Sequence, residues 1–66
     1  MPYKNFLLQR RHEEGEFGRF AKFALQDKNY PFDESFVDQL KYLEEHNAPI
    51  TALKALADTY KEYSKR

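Results

Sequence analysis

Six side chains in this 66-residue sequence have the chemistry of a nucleophile or a base: Ser35, Ser64, Thr51, Thr59, His12 and His46. Nucleophilic catalysis needs a Ser, Thr or Cys beside a base, in a pocket that excludes water. The chain has no cysteine. Ser35 falls in a first helical turn, Ser64 near a fraying terminus and Thr51 near a helix start, all capping or surface positions. Metal ligation meets a geometric obstacle. His46 adjoins Glu44 and Glu45, and His12 adjoins Glu13 and Glu14, but adjacent helical positions point in different directions. A metal site wants ligands at i and i+3 or i+4, converging on one side. The reading is therefore not an enzyme, with no catalytic residue, no metal and no cofactor.

The more informative constellation is Arg19, Lys22 and Phe23. At 100° per residue these three fall on the flank and outer side of a helix whose inner face is Phe17, Phe20, Ala21 and Ala24. Arg19 and Phe23 are four apart and so are neighbours. An exposed aromatic between cations can stack a base and neutralise a phosphate; equally, it anchors a protein surface. A plainer alternative has Phe23 covering the first or the fourth helix, with the stems of Arg19 and Lys22 lying over it. Tyr42 poses the same question on the third helix. It points away from the Phe36–Leu40–Leu43 stripe, beside acidic neighbours, and its hydroxyl tolerates water.

Four helical segments position these residues, expected at about 3–11, 16–27, 34–46 and 50–64. Tyr3, Phe6, Leu7 and Arg10 recur at i, i+3, i+4 and i+7, and Pro2 suits a helix start. Gly18 is out of place in the second helix, where it costs about 1 kcal/mol relative to alanine. Close approach of another backbone to the first turn accounts for it. Lys28-Asn29-Tyr30-Pro31 stops that helix, with a trans Tyr30–Pro31 bond and Asn29 suited to a left-handed cap. Asp33 reads as the N-cap of the third helix, and Phe32 and Val37 have the spacing of a hydrophobic staple. His46-Asn47-Ala48-Pro49 ends it. The fourth helix presents Leu53, Leu56, Tyr60 and Tyr63 on one face with Ala57 beside them, and Lys61, Lys65 and Arg66 sit at its C-terminal end. The expected core is Phe6, Leu7, Phe17, Phe20, Ala24, Phe36, Leu40, Leu43, Leu53, Leu56 and Tyr60.

Composition supports an all-α, four-helix, single-domain reading over 1–66. A mean hydropathy of −0.93 suggests disorder, but six Phe and five Tyr supply the rings a small core needs. Apolar runs reach only two or three residues, so no membrane partner and no signal peptide are expected. Eleven Lys and Arg balance eleven Asp and Glu, which argues against a strongly basic nucleic-acid clamp. The charges are nevertheless segregated. Residues 31–48 carry five acids against one base, whereas 1–30 carry six bases against four acids and 49–66 four against two. Such a distribution either steers a charged partner or is satisfied by salt bridges between helices; the second is the leading expectation.

Taken in order, Gly18-Arg19-Phe20-Ala21, Asp27 with Tyr30-Pro31, Tyr42-Leu43, then Leu56, Tyr60 and Tyr63 resemble the YozE/SAM-like family. Those are small Firmicute proteins with a four-helix fold similar to the sterile alpha motif. The resemblance covers nearly the whole chain. Tyr30-Pro31 stands where the family usually has Phe-Pro, Phe32 where a lysine often follows, and Leu56 and Tyr60 where Phe and Trp are usual; these changes keep the apolar or aromatic character. The resemblance implies a SAM-like arrangement, cytoplasmic residence and an uncharacterised role, and it supplies no catalytic residue.

The functional expectation is a non-enzymatic protein-interaction module. It acts through the basic–aromatic flank, with Arg10, Arg11, Arg19, Lys22, Phe23 and Tyr42 as the candidate surface, or through the acidic third helix. The alternative is an accessory nucleic-acid binder using Arg10, Arg11, Arg19, Lys22 and Phe23. The chain is expected to be a monomer or weakly self-associating.

Overall fold

A computed structural model describes residues 2–65. Arg66, one of the expected C-terminal cations, lies outside the described residues. Four helices follow in order: α1 (Tyr3–Arg10), α2 (Glu16–Gln26), α3 (Phe36–Glu45) and α4 (Ile50–Ser64). The longest, α4, is the common support: α1, α2 and α3 all pack on it, and α1 also packs on α2. Among the described residues there is no strand, and no helix is long and apolar enough to cross a membrane.

The turn chemistry explains where each helix begins and ends. Gly15 precedes α2 with φ 87, a conformation that glycine adopts without steric cost. Gly18 has a different reason. A Cβ on it would lie 1.7 Å from the carbonyl oxygen of Glu13, so the α1–α2 loop presses its backbone onto the first turn of α2, as the glycine's position implied. Asp27 closes α2 in an extended conformation (φ −88, ψ 111), and its carboxylate accepts the backbone N–H of Asn29 at 3.0 Å. That Asx-type turn replaces the left-handed cap expected at Asn29. The Tyr30–Pro31 bond is trans.

The third helix starts two residues later than the sequence suggested. Its N-cap is Ser35, whose Oγ accepts the Asp38 N–H at 3.2 Å, and not Asp33. Residues 31–34 are held in turns, with the Glu34 N–H donating to the Pro31 carbonyl. The Gln39 side-chain amide donates to the carbonyls of Glu34 and Phe32 at 3.0 and 3.4 Å. A polar clasp from Gln39 thus occupies the place where a Phe32–Val37 staple was expected, and Val37 is left 55% exposed. At the other end of α3, Asn47 (φ 57) takes the left-handed position. The Ala48 N–H bonds to Leu43 O and the Asn47 N–H to Glu44 O, the paired closure of a Schellman motif.

The core is built largely from rings. Tyr3 sits 4.9 Å from Tyr60 and 5.3 Å from Tyr63, between centroids, and Phe6 lies 5.6 Å from Tyr63. Around the α2–α3 connection, Tyr30 is surrounded by Phe20, Phe32 and Tyr42. Of the expected core, Phe6, Leu7, Phe20, Ala24, Leu43 and Leu56 are buried, while Phe17, Phe36, Leu40, Leu53 and Tyr60 are only half-buried at its edge. Tyr3, Ala21, Tyr30, Ala55, Gln39 and Thr59 are also buried. The α4 face is rotated from expectation: Ala57 is exposed, and Ala55 and Thr59 point inward. Thr59 is tolerated there because its hydroxyl bonds to the Ala55 carbonyl at 2.8 Å and pairs with the Tyr3 hydroxyl at 2.7 Å.

The two glycines should resist alanine for different reasons. Gly18→Ala gains helix propensity of about 1 kcal/mol but drives a methyl into the Glu13 carbonyl. A net loss of about 1–3 kcal/mol is expected, by analogy with other overpacked sites. Gly15→Ala meets no atom within 4 Å, but it places a side chain at φ 87, ψ −159, a region essentially reserved for glycine, at a cost of about 1–3 kcal/mol. Thermal melts of both variants test these losses, at about 4–8 °C per kcal/mol for a domain of this size. A Gly18→Ala protein as stable as the parent would refute the close approach.

Candidate basic–aromatic interface

Helix α2 turns Phe20, Ala21 and Ala24 into the core, so its other face carries Arg19, Lys22 and Phe23 to the surface. Phe23 is 44% exposed. It does not lie buried under α1 or α4. Instead it forms one wall of a groove of about 230 Å³ between α2 and the start of α4, lined by Glu16, Arg19, Phe20, Phe23, Pro49, Thr51 and Ala52. Ile50, beside this lining, is 69% exposed. Arg19 also borders a second, polar concavity with Lys22, His12, Glu13, Glu14 and Gly15. Among the described residues, neither Arg19 nor Lys22 forms an ion pair.

The remaining candidates are placed elsewhere. Arg10 is drawn inward: its guanidinium pairs with Glu13 and, at 3.2 Å, with Glu62 of α4. It also lies over the rings of Phe17 and Phe6, 4.9 and 5.3 Å from their centroids. The hydrogen bond it donates to Glu13 foremost, and that to Glu62, hold the guanidinium still more firmly protonated than usual. Arg10 is thus a clamp between α1, the α1–α2 loop and α4. Arg11 is exposed, with its Nε 3.3 Å from Nε2 of His12.

Tyr42 is not the free hydroxyl expected. It donates to Asp27 Oδ2 at 2.6 Å, meets Tyr30 edge-on at 5.6 Å, and is covered by the His46 ring stacked 4.1 Å away. The Asp27 bond raises the Tyr42 hydroxyl's pKa above its ordinary value. The same bond, with the Asn29 N–H next and His46 a smaller contributor, holds the Asp27 carboxyl below the usual range. Tyr42 therefore ties α3 to the end of α2. Its outward angle on the helix was legible in the sequence, but a partner fifteen residues away was not.

Three of the groups with nucleophile or base chemistry are engaged in the fold, while Thr51, Ser64 and His12 are exposed. Ser35 caps α3 and Thr59 bridges Tyr3 to α4. His46 Nδ1 is 2.8 Å from the Tyr42 carbonyl oxygen. Burial pushes the Tyr3 and Tyr30 hydroxyls well above the normal tyrosine range, so both stay protonated. No three metal-ligating side chains come together among the described residues. A third concavity, of about 520 Å³, is lined by Lys4, Lys28, Asp27, Asp33 and Glu34 among others. Its charges oppose one another, and Asp27 is committed to Tyr42.

The charge segregation is not neutralised between helices as expected. Arg10–Glu62 is the one ion pair between helices among the described residues. Asp33, Glu34, Asp38, Glu44 and Glu45 are all exposed and none is in an ion pair. The groove residues at the start of α4, Pro49, Thr51 and Ala52, were not assigned to this surface from the sequence. Only the packing of α2 on α4 brings them to Phe23.

A family model for the YozE SAM-like fold matches residues 3–65. No curated protein and no solved structure matches the chain.

The Tyr42–Asp27 bond has a pH signature. A carboxyl whose folded pKa is depressed adds stability above its unfolded pKa, about 4, and that stability is lost as pH falls through the folded value. Thermal midpoints measured on acidification should therefore fall more steeply below about pH 4 in the parent than in Tyr42→Phe. Parallel curves for the two proteins would dissociate the bond from acid sensitivity.

Proposed function

We propose that this chain, which belongs to the YozE SAM-like fold family, is a non-enzymatic module that docks another protein in the cytoplasm through the outer face of α2. One observation carries the reading: Phe23 stands 44% exposed at the wall of a groove, with two cations beside it on the same helix that pair with no acid among the described residues. A lone exposed apolar residue is ordinary on a protein surface. Here the ring, the groove and the cations coincide, which is the composition of an interface anchor. Ser35, Thr59 and His46 are occupied in capping and bridging bonds, and the concavities are open, which favours binding over chemistry.

Nucleic-acid binding is the weaker reading for a specific reason. It depended on Arg10, Arg11, Arg19 and Lys22 acting together, and Arg10 is locked onto Glu13 and Glu62. Arg19 and Lys22 share their concavity with Glu13 and Glu14, which would face phosphates. Non-specific affinity scales with the number of phosphates neutralised, and too few free cations are left.

Two measurements check the proposal. Titration with single- and double-stranded oligonucleotides at low and moderate salt should show no salt-sensitive binding. A photo-crosslinking amino acid at position 23 should give discrete protein adducts in cells, diminished when Arg19 and Lys22 are both changed to Glu; the same group at the exposed position 37 should not. Equal adducts at 23 and 37, or none at 23, would defeat the docking face. Tight oligonucleotide binding would revive the alternative.

A further inference from the structure

We infer that the partner at the α2–α4 groove is a second copy of this chain: two α2 helices pack antiparallel about a two-fold axis, and Phe23 of each copy enters the groove of the other. The inference rests on the docking face proposed above and names what fills it.

The outer face of α2 carries a seam. Glu16, Arg19, Phe23 and Gln26 recur at intervals of three, four and three residues, the spacing by which one helix lies along another. All four are exposed. None of their side chains makes a hydrogen bond, ion pair or ring contact among the described residues.

Size sets what the groove beside this seam accepts. Its volume of about 230 Å³ is below the roughly 300–1,000 Å³ of sites that enclose a drug-sized ligand, and suits a single side chain. Phe20, Phe23, Pro49 and Ala52 line it with carbon, so an aromatic ring gains by leaving water there. One patch thus carries both an exposed ring and a slot for a ring. That is what a two-fold interface asks of a surface that must complement itself.

Charge decides between a copy and a partner of one sign. Arg19 stands with Glu16 in the groove, and Arg19 and Lys22 share the next concavity with Glu13 and Glu14. A uniformly acidic or basic partner meets repulsion along with attraction. A second copy in antiparallel register sets no like charges opposite each other. With the axis over position 21, Arg19 of one copy faces Phe23 of the other, and a guanidinium over a ring is favourable. Glu16 faces Gln26, whose amide donates to the carboxylate. Lys22, one turn before Gln26, flanks that same carboxylate. The parallel register instead sets Arg19 on Arg19 and Glu16 on Glu16, so the order of residues along the seam selects the antiparallel one. From Glu16 to Gln26 the seam runs about 15 Å at 1.5 Å per residue. So short a contact gives a reversible dimer, not an obligate one.

Sedimentation of the purified full chain over rising concentration tests the inference. It should show a monomer–dimer equilibrium. Phe23→Ser and Arg19→Glu should each weaken the dimer roughly tenfold or more, and Val37→Ser should leave it unchanged; circular dichroism confirms that these surface variants fold. The register has its own test, made clean by the absence of cysteine from the chain. Two cysteines at positions 16 and 26 lie about 15 Å apart on one helix, too far to bridge within a molecule. On mild oxidation the double variant Glu16→Cys, Gln26→Cys should therefore form a product of twice the chain mass, and neither single variant should. A chain that stays monomeric, or a dimer indifferent to both Phe23 and Arg19, overturns the inference. The docking face then stands if the position-23 adducts in cells join this chain to other proteins, and falls with the dimer if position 23 gives no adduct of any mass.

Discussion

The hydrogen bond from the buried Tyr30 hydroxyl to Gln39 Oε1, 3.0 Å long, is the constraint on which the arrangement of α2, α3 and their connection depends. Tyr30 has only 5% of its surface exposed, so its hydroxyl needs a partner within the protein. Gln39 supplies it with the amide oxygen. The amide nitrogen then turns to the Phe32 and Glu34 carbonyls, leaving no buried side-chain polar atom among the described residues without a partner. One glutamine thereby fixes where the connection folds back, where α3 may begin, and how Phe20, Phe32 and Tyr42 close round the Tyr30 ring. A leucine at 39 would fill space but orphan a hydroxyl and two carbonyls, each at a cost of about 1–3 kcal/mol.

A chain this short buries too little aliphatic surface to hold four helices by area alone. Rings answer that shortage, since each brings a large apolar area. Tyrosine rings also bring a hydroxyl, and the hydroxyls must then be matched. Tyr3 finds Thr59, Tyr30 finds Gln39 and Tyr42 finds Asp27. Three elements that look like surface chemistry in the sequence are thus absorbed into the interior and its edge. Ser35, Thr59 and His46 follow the same logic, each making its bond within the fold.

How much of this the sequence disclosed follows from how local each cause is. The four helices were legible because amphipathic periodicity repeats within each segment, and Gly18 was legible because glycine there contradicts propensity. The Ser35 cap was not. Asp33 is an equally good capping residue on local grounds, and what disqualifies it is a hydrogen bond from Gln39, on the next turn of a helix not yet begun. Tyr30, Gln39 and Thr59 read as loop or polar positions because their burial is created by partners up to fifty-six residues away. The candidate surface divides in the same way. Arg19, Lys22 and Phe23 emerge together because one helix sets their angles. Arg10 and Tyr42 emerge on the right faces, yet Glu62 and Asp27 claim them.

The capture of Arg10 also bears on the choice between partners. Its guanidinium stacks over Phe17 and Phe6 while pairing with two carboxylates, an arrangement that desolvates it and ties α1 to α4. Were it free, the chain would present a row of cations from Arg10 through Lys22, and phosphate attraction would dominate whatever Phe23 contributed. Locked, it leaves a cationic pair next to one ring and one narrow groove. Two charges near a surface, screened within about 8 Å at physiological ionic strength, attract phosphates only weakly. In the docking proposed above, the ring and groove would supply the affinity, and they suit an apolar side chain that a nucleic-acid backbone does not have. A contact that stabilises the fold therefore narrows what the surface can recognise.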